Sequence, residues 1–159
     1  MILVLLGSHD FQFNRLLNKI EKLKKDGIIK EEVVVQSGCS YIETTNLVLR
    51  PFIHSAELDT LYDQANLIIT HGGSASIIKG VKKGKKVVAV ARLKKYNEVI
   101  DDHQKQIIKE FAEAGYIIDW KENETYDDVL NKLKTYIPKE YISRKHELLN
   151  YLEEYIKRN

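Results

Sequence analysis

Cysteine is almost missing from this chain: Cys39 stands alone. One thiol cannot close an internal disulfide or build a cysteine-cluster zinc site, and it fits a reducing cytoplasm. Long apolar runs are missing too. Stretches such as Ile2 to Leu6 fall far short of the roughly 20 residues that span a bilayer. No basic region precedes an apolar one near the start, so no secretory signal is expected. Familiar signatures of nucleotide and hydrolase chemistry are absent as well. Without G-x-G-x-x-G an NAD-type site is poorly supported, and without G-x-x-x-x-G-K-[ST] there is no P-loop. The serine nucleophile elbow needs G-x-S-x-G, which Gly72-Gly73-Ser74-Ala75-Ser76 does not match. No period of roughly 20–50 residues recurs, which excludes a repeat array. Nor is there a low-complexity linker.

What is present describes one globular domain. The 159 residues are 43% hydrophobic and 30% charged, enough for a real core. A net charge of +2 says little, but its distribution is uneven. From Lys79 to Lys95 run eight basic residues and no acidic one. The run reads either as a solvated helix face and loop, or as an attractor for a nucleotide diphosphate, a lipid phosphate or an anionic membrane. Nucleic acid is the weaker option, because the run lacks the interleaved aromatics of a stacking platform.

Periodicity predicts alternating strands and helices. Met1–Leu6 reads as a first strand stopped by Gly7-Ser8-His9. Phe13, Leu16, Leu17, Ile20 and Leu23 recur at helical spacing within 11–25, closed by Asp26-Gly27. Strands follow at 32–36 and 47–52, the latter near an edge because Pro51 cannot donate to a ladder. Ser55 is read as the N-cap of a helix through Ala65. A strand at 67–70, a helix at 74–83, a strand at 87–90 and a long loop through Tyr96 come next. A helix opening at Asp101 or Asp102 runs to Gly115, followed by a strand at 116–118. Closing helices are predicted at 127–136 and 139–157, separated by Pro138. Such alternation implies an α/β fold: a Rossmann-like parallel sheet with helices on both faces. The last helix, with Tyr141, Ile142, Leu148, Leu149, Leu152, Tyr155 and Ile156, reads as core or as a surface for a partner chain.

Two polar clusters sit where such folds bind ligands, at strand ends that open into helices. In His71-Gly72-Gly73-Ser74-Ala75-Ser76 the unpaired N–H groups of a helix mouth suit phosphate. Gly72 and Gly73 are expected to take φ > 0 and approach a ligand closely, while Ser74 and Ser76 offer hydroxyls. A loop histidine is ordinarily a structural hydrogen-bonder. Placed at a strand end before two glycines, His71 becomes a functional candidate. The second cluster is Asp101-Asp102-His103-Gln104. Its carboxylates are read as caps complementing the helix dipole rather than as metal ligands. His103 and Gln104 face the same mouth, and the Gln104 amide could bond a ribose or uracil.

With these residues in view the chain resembles a known family. Gly7-Ser8-His9-Asp10-Phe11-Gln12-Phe13-Asn14-Arg15-Leu16-Leu17 is similar to the "GTHxFPFDRLL" opening of PssE/CpsG-type bacterial polysaccharide glycosyltransferase subunits. The run from Arg92 to Gln104, RLKKYNEVIDDHQ, resembles their "PRxKKYGEHVDDHQ" segment, and His71-Gly72-Gly73-Ser74 their "HGGSG" loop. These subunits are similar to the C-terminal, donor-binding half of family 28 (MurG-like) GT-B glycosyltransferases, and to the cytosolic subunit of the eukaryotic dolichol-linked GlcNAc transferase.

The resemblance implies half of a two-component inverting enzyme of capsule or exopolysaccharide synthesis, cytoplasmic and held at the membrane through its partner. This chain would bind a UDP-sugar, and a membrane-anchored PssD-like chain would bind the lipid-linked saccharide acceptor. No cofactor or metal is implied. By the same resemblance Gly7 and Ser8 would line the cleft and His71 to Ser76 would hold the diphosphate and sugar. Asp102, His103 and Gln104 would border the sugar or ribose. His71 is a catalytic candidate, and the base that activates the acceptor is expected on the partner. Lys79 stands where the family usually has a glutamate for the ribose hydroxyls. The glycine usual at Ala75 and the proline usual near Ala91 are also replaced. Lys79 favours an alternative, a non-catalytic subunit that stabilises a membrane-associated partner. A free-standing nucleotide-binding module or epimerase fits less well, since the chain offers half of a two-domain cleft.

Overall fold

The computed structural model describes residues 1–8 and 10–142. Its centre is β1 (Ile2–Leu5), an aliphatic run with no polar alternation, the pattern of a strand covered on both faces. Successive side chains leave a strand on opposite sides. Ile2, Val4 and Leu6 accordingly enter one core, and Leu3 and Leu5 the other. β2 (Val33–Gln36) and β4 (Leu67–His71) flank it in parallel, so that Val4 sits between Val35 and Ile69. β3 (Val48–Arg50), β5 (Lys86–Val90) and β6 (Ile118–Asp119) complete a six-stranded parallel sheet in the order β3-β2-β1-β4-β5-β6. The order reverses direction between β1 and β4. Their carboxyl ends therefore open a crevice in which ligands of doubly wound folds collect.

Helices cover both faces. α1 (Asn14–Lys25) and α5 (Tyr126–Thr135) pack Phe13, Leu16, Leu17 and Ile20, with Tyr126, Val129 and Leu133, against the first core. α2 (Ser55–Gln64), α3 (Ser74–Lys82) and α4 (His103–Glu113) bring Tyr62, Ile77, Val81 and Ile108 to the second. The Rossmann-like architecture is the one expected. No helix among the described residues is long and apolar enough to cross a membrane.

Boundaries shift for local reasons. α1 starts at Asn14 rather than at 11, because Phe13 N–H donates to Ser40 Oγ (2.7 Å) and Asn14 N–H to Gln12 Oε1 (2.7 Å). The N-cap of α2 is His54, whose Nδ1 accepts from Ala56 N–H, so Ser55 is already helical. The last strand is Ile118–Asp119 instead of 116–118; Tyr116 N–H is engaged by Phe111 O in closing α4. α5 begins one residue early, at Tyr126, behind a Thr125–Asp128 capping box. The predicted closing helix at 139–157 is not helical over 139–142, where Tyr141 instead packs against the Tyr116 ring (5.9 Å). Its remainder lies outside the described residues.

Candidate functional site

The crevice is built from loops that leave β1, β4 and β5. Gly7 follows β1 with φ +88°, and a Cβ there would lie 3.0 Å from the His71 ring. Position 7 thus needs glycine for conformation and for space. Gly72 and Gly73 differ from expectation, since neither takes a positive φ. Their reason is steric. A Cβ on Gly72 would meet Gln104 Cβ at 2.6 Å, and one on Gly73 would overlap the His71 ring. Gly73 is the N-cap of α3, and no side chain caps that first turn. Its leading N–H groups therefore retain the anion-binding character of a helix mouth.

His71, the last residue of β4, turns its Nδ1 to Leu5 O at 3.2 Å. With Nδ1 turned to a carbonyl, the other ring nitrogen, Nε2, is the atom that lies against Gly7 and Gly73. Across from it Gln104, buried in the first turn of α4, accepts from Gly72 N–H (3.1 Å) and Arg92 N–H (3.3 Å) through one oxygen, Oε1. This amide clasps the β4 loop to the β5 loop. Nε2 is thereby the end of the amide that the cavity can use.

The cavity holds about 280 Å³. Ser8, His71, His103 and Gln104, all anticipated from sequence, line it together. Gly7 and Gly72 lie directly behind this lining through their contacts with His71 and Gln104. Ser74 and Ser76 stand at the mouth of α3 but outside the lining, and Ser76 O accepts from Tyr62 Oη at 3.1 Å. Asp102 is also outside. Its carboxylate takes Lys94 N–H (2.9 Å) and Lys105 Nζ (3.0 Å), contacts that hold its pKa below the ordinary range. Of the acidic pair it is Asp101 that lines the cavity; it accepts from His103 N–H at 3.0 Å and pairs with the His103 ring. The His103 hydrogen bonds lower its pKa. The capping role expected of the acidic pair thus falls on Asp101, while Asp102 braces the preceding loop.

Sequence reasoning missed the buried polar frame beside the cavity. Glu98, 1% exposed, accepts from Arg15 Nε and Nη2 at 2.9 Å each and from Leu93 N–H at 2.9 Å. Arg92, 2% exposed, reaches the carbonyls of Leu6, Phe11 and Glu98. The available signal was a charged residue at the end of the buried strand Val87–Val90, with a lone acid six residues on. A larger groove of about 1020 Å³ runs along β6 between α4 and α5, past Ile108, Ile117 and Ile137. None of the anticipated site residues lines it.

Comparison with known proteins bears on the family and the fold. The sequence profile of the glycosyltransferase family 28 C-terminal domain matches residues 1–157. The UDP-N-acetylglucosamine transferase subunit ALG13 of Candida albicans is 24% identical over 121 residues, 72% of this chain and 40% of that protein. The subunit of the same name from Candida glabrata is 26% identical over 92 residues, 57% of this chain and 43% of that one. This chain thus spans less than half the length of the curated relatives it matches. Among solved structures, the NMR structure of ALG13 superposes with a TM-score of 0.61 at 16% identity, covering 95% of this chain and 94% of that one. MurG of Acinetobacter baumannii gives 0.55 at 22% identity, covering 83% and 40%. Both structural likenesses speak for the fold.

Proposed function

Because this chain belongs to the glycosyltransferase family 28 C-terminal domain family, we propose that it is the donor-binding, catalytic subunit of a two-component inverting glycosyltransferase. It takes a UDP-sugar and, with a membrane-anchored PssD-like subunit, transfers the sugar to a lipid-linked saccharide during capsule or exopolysaccharide synthesis. The chain works in the cytoplasm, at the inner face of the membrane, through that partner. Residues 1–159 act as a single donor domain.

The observation that carries this reading is the Gln104 clasp. It ties Gly72, in the loop that opens α3, to the first turn of α4, beside a cavity that His71 lines from the first cluster and Asp101, His103 and Gln104 line from the second. In that setting the N–H groups at the start of α3 face the diphosphate, with Ser74 and Ser76 at its margin. Gln104 Nε2 and His103 address the sugar or ribose. Gly7 and Ser8 form the lip toward the partner. Fixed N–H dipoles favour the charge that develops as UDP departs. His71 Nε2 is placed beside that charge, while the base for the acceptor hydroxyl comes from the partner chain.

Isothermal titration of the chain with UDP and several UDP-sugars tests the reading. Gly73→Ala, which forces a methyl group onto the His71 ring, should abolish binding that the parent chain shows while its circular dichroism is unchanged. Equal UDP affinity in the two proteins refutes the assignment. One observation favours a second reading, a non-catalytic subunit that stabilises its partner. Lys79, where the resemblance expects a ribose-binding glutamate, is tied to Asp59 (3.3 Å) and lies 5.0 Å from the Tyr62 ring centre. No UDP binding, alone or with the partner co-expressed, would select that reading.

A further inference from the structure

Buried charges in proteins come paired with an opposite charge, and buried donors come hydrogen-bonded. Arg92 breaks both habits. Its side chain is 2% exposed, yet the groups it reaches are neutral: Nη1 donates to Phe11 O (2.6 Å) and Glu98 O (2.9 Å), Nη2 to Leu6 O. The Glu98 carboxylate next door is engaged by Arg15 and Leu93 N–H. Arg92 Nε–H has no partner, and it is the one buried side-chain polar atom of which this is true among the described residues. The guanidinium carbon lies 5.1 Å from the centre of the Phe13 ring, which screens it from water. Burial pulls the Arg92 pKa down, opposed by the Glu98 charge nearby.

This cation belongs to the wall of the cavity. Arg92 lines it with Ser8, His71, His103 and Gln104, and its own backbone N–H shares Gln104 Oε1 with Gly72 N–H. We propose that the cavity is an oxyanion subsite completed by Arg92: the β-phosphate of the donor lies beside the guanidinium and accepts a hydrogen bond from Nε–H. The inference rests on the donor-binding reading and adds a residue to it. The helix mouth at Gly73 and the guanidinium then share the diphosphate from two sides. Nε is sealed from solvent in this structure, so the phosphate reaches it with a local shift of the wall. Such a contact forms with the second phosphate and not with the first.

The test uses the full chain labelled with nitrogen-15, the Arg92 Nε–H signal being assigned by its loss in Arg92→Lys. UDP should move that signal downfield and UMP should leave it in place. In parallel, Arg92→Met should lower the ratio of UDP to UMP affinity about tenfold, as expected for a charge-assisted hydrogen bond. UDP binding with the signal unmoved, or an unchanged ratio in Arg92→Met, overturns the proposal. Should Arg92→Met fail to fold, the wild-type spectrum decides. Should wild-type protein not bind UDP, alone or with the partner co-expressed, the donor reading falls by itself. Inorganic pyrophosphate then decides the subsite: a shifted Nε–H signal supports it, and an unshifted one overturns it.

Discussion

Replacing Gln104 by methionine should cost about 2–4 kcal/mol of folding stability, a figure set by the two donors that lose their acceptor. Gly72 N–H at 3.1 Å and Arg92 N–H at 3.3 Å both end on Oε1 in a buried setting. Leaving a buried donor unpaired costs about 1–3 kcal/mol, and the longer contact belongs at the low end. Methionine has a similar volume, so little is added for a cavity. Against a typical total of about 5–15 kcal/mol the variant still folds. Trp120 is the one tryptophan of the sequence, buried with its indole N–H on Glu124 O. Its fluorescence during urea unfolding reads the midpoint directly. The slope should not change, because the surface exposed on unfolding does not. Gln104→Glu is the companion variant. It retains acceptor oxygens for both N–H groups and loses the Nε2 donor, so it should keep most of the stability while weakening UDP-sugar binding. A loss below about 0.5 kcal/mol in Gln104→Met would refute the clasp, since no pair of buried N–H groups is abandoned so cheaply.

Glu98→Ala should be more damaging, by about 3–5 kcal/mol, because it strands the Arg15 guanidinium and unpairs Leu93 N–H. The Arg15 side chain is 26% exposed, which puts the value toward the lower end; a loss under about 1 kcal/mol in urea titration would contradict a buried ion pair. Tyr62 gives a pH signature. Burial raises its pKa to about 12, so the folded chain keeps the phenolic proton longer than the unfolded chain does. Its stabilising contribution is complete below pH 10 and is lost between about pH 10 and 12, some 2–3 kcal/mol in all. Tyr62→Phe should flatten that decline, leaving the share of Tyr136, also raised to about 12, and cost about 1 kcal/mol at neutral pH for the bond to Ser76 O. Parallel stability curves for wild type and variant from pH 9 to 12 would rule this out.

The sheet was readable because its strands are unbroken aliphatic runs bounded by glycine and polar turns. Val33–Val35 and Leu67–Ile69 carry no competing helical period. Helix starts were harder, since they depend on side chains from elsewhere. Ser40, far along the chain from Phe13, decides where α1 begins. The same limit governs the site. His71, His103 and Gln104 were recoverable from position alone, each standing at a strand end or helix mouth, whereas Ser8 was indicated by the family resemblance. Arg92 and Glu98 were not, because a charged residue next to a lysine run looks solvated until the fold shows it covered. The glycines of the His71 loop were recognised for a conformational reason. They prove to be required for contact, against Gln104 and His71. A contact with residue 104 leaves no trace in the local sequence around residue 72.

Most lysines of the basic run make structural contacts. Lys79 and Lys83 face Asp59, and Lys83 also faces Asp63. Lys85 and Lys86 donate to the carbonyls of Asp63 and Leu133, and Lys95 pairs with Glu122. Asp59 and Asp63 of α2 thus offset Lys79 and Lys83 of α3, while Lys85 and Lys86 are held by neutral carbonyls. The groups of this region that lie at the crevice are the backbone mouths of α3 and α4 and, from the basic run itself, the enclosed guanidinium of Arg92. Such groups are fixed in direction and, being partly buried, are screened by salt less than exposed lysines are. A site of this kind selects a ligand by the placement of its phosphates more than by long-range pull. It also accounts for Lys79: turned to Asp59 on the outer side of α3, that lysine is no substitute for a ribose-binding carboxylate. On the donor-binding proposal, the nucleoside is then held by other groups of the crevice or by the partner chain.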